Sequence, residues 1–153
     1  MNIAVVLSGG TGGRLGAEIP KQYIRVNGRT IIFYCLDTLE SCEKIDAVQI
    51  VADASWHDVI LESKMLKFKG FSKPGENRQL SIFNALEDIK GYAKEDDIVI
   101  IHDAARPCVS KKMFEDLIKL TAEHDGALPV LPMKDTVYLS EDSKSITSLL
   151  NRS

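Results

Sequence analysis

Residues 2–13 read Asn2-Ile3-Ala4-Val5-Val6-Leu7-Ser8-Gly9-Gly10-Thr11-Gly12-Gly13, a compact apolar run closed by a glycine cluster. The apolar part predicts a buried first strand. The glycines after it decide the fold. In open α/β sheets ligands gather beyond the carboxyl ends of the strands. Glycines placed there let the backbone approach a ligand closely, and their successive N–H groups form a nest for anions. The spacing departs from two familiar phosphate loops. A dinucleotide fingerprint starting at Gly10 and Gly12 needs glycine where Leu15 stands. A P-loop needs Gly-Lys-Ser/Thr where Arg14 follows Gly9 and Leu15 follows Gly10. Instead Arg14 ends the cluster and Pro20-Lys21 comes shortly after. Taken alone, the glycines read equally as a flexible turn; two cations in register with them favour a polyphosphate ligand.

Outward from this loop, strand-like and helix-like segments alternate. Asn27-Gly28 is a strong hairpin-turn signal between residues 23–26 and 30–32. Helical spacing of Ile32, Cys35, Leu36 and Leu39 follows, then a strand over 46–52 and a helix over 55–64 with Val59 and Ile60 inward. A short strand over 67–71 leads to the turn Lys73-Pro74-Gly75. Leu80, Ile82, Phe83, Leu86 and Ile89 then predict one apolar helix face. Ile98-Val99-Ile100-Ile101 has the character of a central parallel strand buried on both faces. Ser110 is the expected N-cap of a helix carrying Phe114, Leu117, Ile118 and Thr121, with a strand expected over 126–130. Residues 136–139 and 146–150 flank a polar turn and predict a β-hairpin or arm. The fold class is therefore α/β: three layers, a mostly parallel sheet with helices on both faces, and a hairpin near the C-terminus.

The 153 residues match the length of one domain, with 44% hydrophobic and 27% charged residues and a net charge of −3. That charge, without an aromatic-basic stripe, counts against nucleic-acid binding. The longest apolar run, Ile31 to Leu36, is too short to span a membrane. The chain opens directly on a strand pattern, and its three cysteines (Cys35, Cys42, Cys108) form no Cys-x-x-Cys pair. The expectation is a cytoplasmic, reduced, unlinked protein with no secretory leader. Cys35 and Cys42, seven apart on a predicted helix, read as core residues.

His102-Asp103-Ala104-Ala105-Arg106-Pro107 closes the strong apolar strand. A carboxylate there is placed to hold Mg²⁺ bound to substrate phosphates. The small alanines permit close approach, and Arg106 adds a positive charge. The alternative is that Asp103 caps the next segment and pairs with Arg106. His102 reads as a satisfied structural histidine, because His57 and His124 fall in predicted helices without metal-ligand spacing. A Gly-x-Ser-x-Gly elbow is missing, which counts against a serine hydrolase.

Assembled, these motifs resemble a family. The set comprises Leu7-x-Gly9-Gly10-x-Gly12-x-Arg14, Pro20-Lys21-Gln22-Tyr23, Gly75-Glu76-x-Arg78-x-x-Ser81, the His102–Pro107 run, Lys134-Asp135-Thr136 and Asn151-Arg152-Ser153. It is similar to the 2-C-methyl-D-erythritol 4-phosphate cytidylyltransferase family of the non-mevalonate isoprenoid pathway, with ribitol-5-phosphate cytidylyltransferase as close relative. The resemblance implies attack of a polyol-phosphate oxygen on the α-phosphorus of CTP, with loss of pyrophosphate, in a Mg²⁺-requiring homodimer. It implies Arg14 and Lys21 as catalytic cations, with Ser8, Gly9, Gly10 and Gly12 around the phosphates. Gly75, Glu76 and Ser81 would contact cytosine and ribose, and Asp103 the metal or nucleotide. Arg106, Thr136 and Arg152 would hold the second substrate, and 136–150 would be a dimerisation arm.

Glu76 stands where the isoprenoid enzymes usually have aspartate, while Ala105 favours them over the ribitol branch. The family pattern also continues past Arg152-Ser153 to a Gln-Thr-Pro-Gln-like segment, helices and a late lysine. The chain thus reads as a single nucleotidyltransferase domain over 1–153 lacking the C-terminal part of the family fold. The other expectation, from a different functional class, is a nucleotide-binding domain without turnover.

Overall fold

A computed structural model describes residues 1–10 and 19–151. The first apolar run forms β1 (Asn2–Leu7). A 3-10 turn over Lys21–Tyr23 precedes a small hairpin, β2 (Arg25–Val26) and β3 (Arg29–Thr30). Its two-residue connection places Asn27 at φ 51° and Gly28 at φ 76°, the left-handed pair that a right-twisted hairpin requires. The order continues α1 (Ile31–Ser41), β4 (Ala47–Val51), α2 (His57–Leu61), β5 (Phe68–Ser72), α3 (Arg78–Ile89), β6 (Ile98–Asp103) and α4 (Lys111–Leu120). A separate hairpin comes next, β7 (Tyr138–Leu139) with β8 (Ser148–Leu149).

The main sheet has four parallel strands in the order β5-β4-β1-β6. Alternation along β1 divides the core. Ala4 and Val6 face α1, α2 and α4, where they join Ile32, Leu36, Ile60 and Phe114. Ile3 and Val5 face α3, against Ile89 and Ala85. This is the expected three-layer arrangement. Ser110 caps α4, its hydroxyl accepting from the Met113 amide at 3.2 Å. The buried Ile60 side chain anchors α2, which is only five residues long after a 3-10 turn at Ala54–Trp56.

Several expectations need correction. Residues 126–130 form no strand, so among the described residues β6 lies at the edge of the sheet and not at its centre. Ile98, Val99, Ile100 and Ile101 are accordingly half-buried, since no strand among the described residues covers their outer edge. On α3 the buried positions are Ala85 and Ile89, whereas Leu80 and Phe83 stay 42% and 56% exposed. The small Ala85 lets the helix close on Val5 and Val51, which turns the bulkier pair outward. Cys42 terminates α1 and His124 lies past α4 in a turn, although both Cys35 and Cys42 are core residues as expected.

The predicted arm exists as β7-β8, with Tyr138 opposite Leu149 and Leu139 opposite Ser148. Asp142 organises its turn by accepting from the Lys144 and Ser145 amides, each at 2.8 Å. Tyr138, Ile146 and Leu149 are all more than half exposed. Among the described residues no helix is long and apolar enough to cross a membrane.

Candidate active site

The strand order reverses direction at β1. From β1 the chain winds outward through β4 and β5, then returns to place β6 on the other side. The crevice of such a sheet lies between the two strands flanking the reversal, beyond their carboxyl ends. Here these ends are Ser8-Gly9-Gly10 after β1 and Asp103-Ala104 after β6, in register through the pairs Val6–His102 and Leu7–Asp103. The Ala104 amide donates to the Leu7 carbonyl at 3.0 Å, and the Ser8 amide donates to the Val51 carbonyl at 2.8 Å. Both exits are therefore held by sheet-like bonds until the chain leaves the sheet.

The turn after β5 closes over the same crevice. A Cβ built on Gly9 would lie 2.5 Å from Pro74 Cβ and 2.6 Å from Pro74 Cγ. The glycine turn and the Lys73-Pro74-Gly75 turn thus touch, and only glycine fits between them. Gly75 is equally confined: a Cβ there would lie 2.7 Å from the Leu80 carbonyl carbon and 2.8 Å from the Ser81 amide nitrogen. The Gly75 amide donates to Ser81 Oγ at 3.0 Å, and that hydroxyl donates in turn to the Asn77 carbonyl at 2.9 Å. Ser81 locks this turn to the start of α3, while Asn77 caps the helix by accepting from the Leu80 amide at 2.9 Å. Glu76 is exposed on the turn.

Asp103 sits between two guanidinium groups. Arg78 approaches one carboxylate oxygen at 3.2 Å and Arg106 the other at 3.0 Å. The Arg106 partnership that the sequence offers as an alternative is therefore real, but it is one of two. Arg78 ties the first turn of α3 to the end of β6, and no local spacing rule links positions 78 and 103. Next to it, His102 is buried against the edge of the Phe114 ring, centroids 5.5 Å apart. Its Nε2 has no hydrogen-bond partner among the described residues, so it is less fully satisfied than expected. Burial lowers its pKa.

Lys21 opens the 3-10 turn and is exposed, with no carboxylate partner among the described residues. The two residues after it enter the sequence reading only as part of a motif, yet they do most to place it. Gln22 and Tyr23 are 4% and 5% exposed. Gln22 Nε2 donates to the Ser8 carbonyl at 2.7 Å and the Gly10 carbonyl at 2.8 Å. Ser8 Oγ donates to the Tyr23 hydroxyl at 2.6 Å, which donates to the Ser8 carbonyl at 3.1 Å. Tyr23 stacks on Trp56 with ring centroids 4.0 Å apart. Burial pushes its phenol up to about 12. Contiguity with Lys21 is the one sequence signal that points to the pair.

The site therefore brings together Ser8, Gly9, Gly10, Lys21, Gly75, Ser81, Asp103 and Arg106. Gly12, Arg14 and Arg152 lie outside the described residues. Thr136 is exposed on the strand-free segment leading to β7. Among the described residues no group of three or more histidine, cysteine or acidic side chains forms a metal cage.

A glycine turn, an exposed lysine tethered to it through Gln22 and a strand-end carboxylate lie at the reversal point of the parallel sheet, the open crevice of a doubly wound α/β domain. Residues 2–153 match the family model of IspD, 2-C-methyl-D-erythritol 4-phosphate cytidylyltransferase. The chain belongs to this family. It is 36% identical to ribitol-5-phosphate cytidylyltransferase of Lacticaseibacillus paracasei, over 99% of this chain and 67% of that one. It is 35% identical to 2-C-methyl-D-erythritol 4-phosphate cytidylyltransferase of Clostridium botulinum, over 98% and 67%. The crystal structure of 4-diphosphocytidyl-2C-methyl-D-erythritol synthase from Anaerococcus prevotii superposes with a TM-score of 0.82 at 25% identity. That superposition covers 99% of this chain and 64% of the other. The chain spans about two thirds of the length of the curated relatives it matches.

Proposed function

We propose that this chain is the nucleotide-binding part of a cytidylyltransferase that transfers a cytidylyl group from CTP to 2-C-methyl-D-erythritol 4-phosphate. A phosphate oxygen of the polyol phosphate attacks the α-phosphorus, the bond to the bridging oxygen breaks, and pyrophosphate leaves. One observation carries the reading: the glycine turn, the Pro74-Gly75 turn and Asp103 converge where the sheet order reverses. Phosphate-transfer catalysis of this kind consists mainly of alignment and electrostatic stabilisation. The Gly9 and Gly10 amides have no acceptor among the described residues and are assigned to phosphate oxygens. Lys21 supplies positive charge to the phosphates, joined by Arg14 on the family resemblance. The turn at Gly75 and Glu76 receives the base and ribose, with Ser81 holding its shape. Arg106, Thr136 and Arg152 are assigned to the second substrate.

Magnesium fits this donor set in one way. Mg²⁺ binds through one or two carboxylates plus substrate phosphates and water, not an all-protein cage. Asp103 is a single carboxylate, partly exposed at the crevice. When bound there, the ion neutralises phosphate charge. We also assign 136–150 as a dimerisation arm, supported by a hairpin that among the described residues forms a separate two-stranded sheet and exposes Tyr138, Ile146 and Leu149. A reducing cytoplasmic location fits three free cysteines.

A second reading is favoured by a specific observation: the relative with 36% identity is a ribitol-5-phosphate enzyme. Pyrophosphate release should be measured with CTP, Mg²⁺ and each polyol phosphate in turn. Turnover of methylerythritol phosphate supports the first reading, and turnover of ribitol phosphate alone replaces it with the second. Calorimetric CTP binding without either turnover identifies a binding domain and rejects both.

A further inference from the structure

We propose that Gln22 is a positioning residue that joins Lys21 to the glycine turn as one rigid unit, with Tyr23 as its support. The inference rests on the proposed cytidylyl transfer, but its geometry stands independently. A 3-10 turn advances roughly 120° per residue, so three successive side chains point in three directions. Gln22 and Tyr23 take the two buried ones, which leaves Lys21 facing outward. Pro20, at φ −58°, fixes the entry to the turn.

The chemistry at Gln22 is specific. A primary amide nitrogen has two hydrogens, and here both are used, one on Ser8 O and one on Gly10 O. These carbonyls flank Gly9, at the point where the sheet stops ordering the backbone. Holding both inward leaves the intervening amides without protein acceptors among the described residues. A trans peptide points its N–H opposite its C=O, so holding the Ser8 carbonyl turns the Gly9 N–H away from Gln22 and fixes the polarity of that peptide. Tyr23 adds a second grip through Ser8 Oγ and Ser8 O, and its stack on Trp56 fixes the ring. Because Lys21 is covalently next to Gln22, any shift of the turn carries the cation with it.

The test uses the intact protein with CTP and Mg²⁺. Gln22→Met keeps nearly the same length and removes both donors. CTP stoichiometry by calorimetry should stay at the wild-type value while kcat falls about 100-fold, the loss associated with roughly 1 Å of misplacement. In a Lys21→Ala background the same change should cost under about 3-fold, because the positioned group is gone. An unchanged kcat, or an equal loss with and without Lys21, overturns the proposal. Should Gln22→Met fail to fold, Tyr23→Phe retains the Trp56 stack and should show the same dependence on Lys21 at smaller amplitude; independence overturns it. If the wild-type protein turns over neither polyol phosphate, the functional reading fails and CTP affinity becomes the readout. Gln22→Met weakening CTP by a factor of about 10 or more at full stoichiometry then supports the proposal, and wild-type affinity refutes it.

Discussion

Replacing Gly9 by alanine should separate the protein's own packing from its contacts with ligand. The new methyl carbon would stand 2.5 Å from Pro74 Cβ and 2.6 Å from Pro74 Cγ. Ordinary carbon–carbon contact lies at about 3.5–4.0 Å, so one of the two turns must retreat by about 1 Å. A proline ring cannot swing aside as a flexible side chain does. Overpacking of this kind costs about 1–3 kcal/mol, which lowers the melting temperature by about 2–12 °C in a chain of this size. At the reacting centre, about 1 Å of displacement costs about 100-fold in rate, equivalent to about 2.7 kcal/mol of barrier. Differential scanning calorimetry, CTP titration and pyrophosphate release should therefore all register Gly9→Ala. The double variant Gly9→Ala/Pro74→Gly should recover much of the loss, because the colliding ring is gone. A Gly10→Ala control meets no described protein atom within 4 Å, so it should lower the melting temperature less than Gly9→Ala does. Wild-type stability and activity in Gly9→Ala, or no recovery on removing the Pro74 ring, would refute the reasoning.

Lys21→Ala should leave the melting temperature within about 2 °C, since an exposed surface side chain contributes little to stability. It should lower kcat by at least about 100-fold in a pyrophosphate-release assay, as loss of one stabilising charge does. A thiol reagent should titrate Cys108 alone in the native protein and all three cysteines in denaturant, because Cys35 and Cys42 are buried and burial pushes the Cys35 thiol up to about 12. Tyr23 has a folded pKa raised above its unfolded value of 10.0, so its neutral form contributes stability that is complete below pH 10 and lost as pH rises towards about 12. Chemical denaturation across that interval should show a shallower loss for Tyr23→Phe than for wild type.

The alternation of elements is legible in the sequence because β1, β4 and α1 carry their burial in large apolar side chains. Asn27-Gly28 is legible because few residues accept two positive φ angles in succession. The α3 face misleads for a physical reason. Counting large apolar residues selects Leu80 and Phe83, but the close approach to β1 is made by the smallest one, Ala85. The β6 run fails in the opposite way: four successive β-branched residues signal strand formation, not the number of neighbours a strand will have. At the site, the glycine turns, Lys21 and Asp103 announce themselves by residue type. Gln22 and Arg78 do not. Their importance lies in partners 14 and 25 positions away, Ser8 and Asp103, which only the folded chain brings within hydrogen-bonding distance.

The pairing of β1 with β6 also has a consequence for the order in which the molecule is built. Asn2 lies opposite Ile98, and Leu7 opposite Asp103, so the crevice joins positions 96 residues apart in the chain. At a synthesis rate of about 5–20 residues per second, β1 waits about 5–20 s for its second neighbour. During that interval it can pair with β4 and pack against α1, α2 and α3, while α4 and the opposite wall of the crevice are still to be made. On the proposed function, nucleotide stabilises the nascent chain only once β6 has arrived.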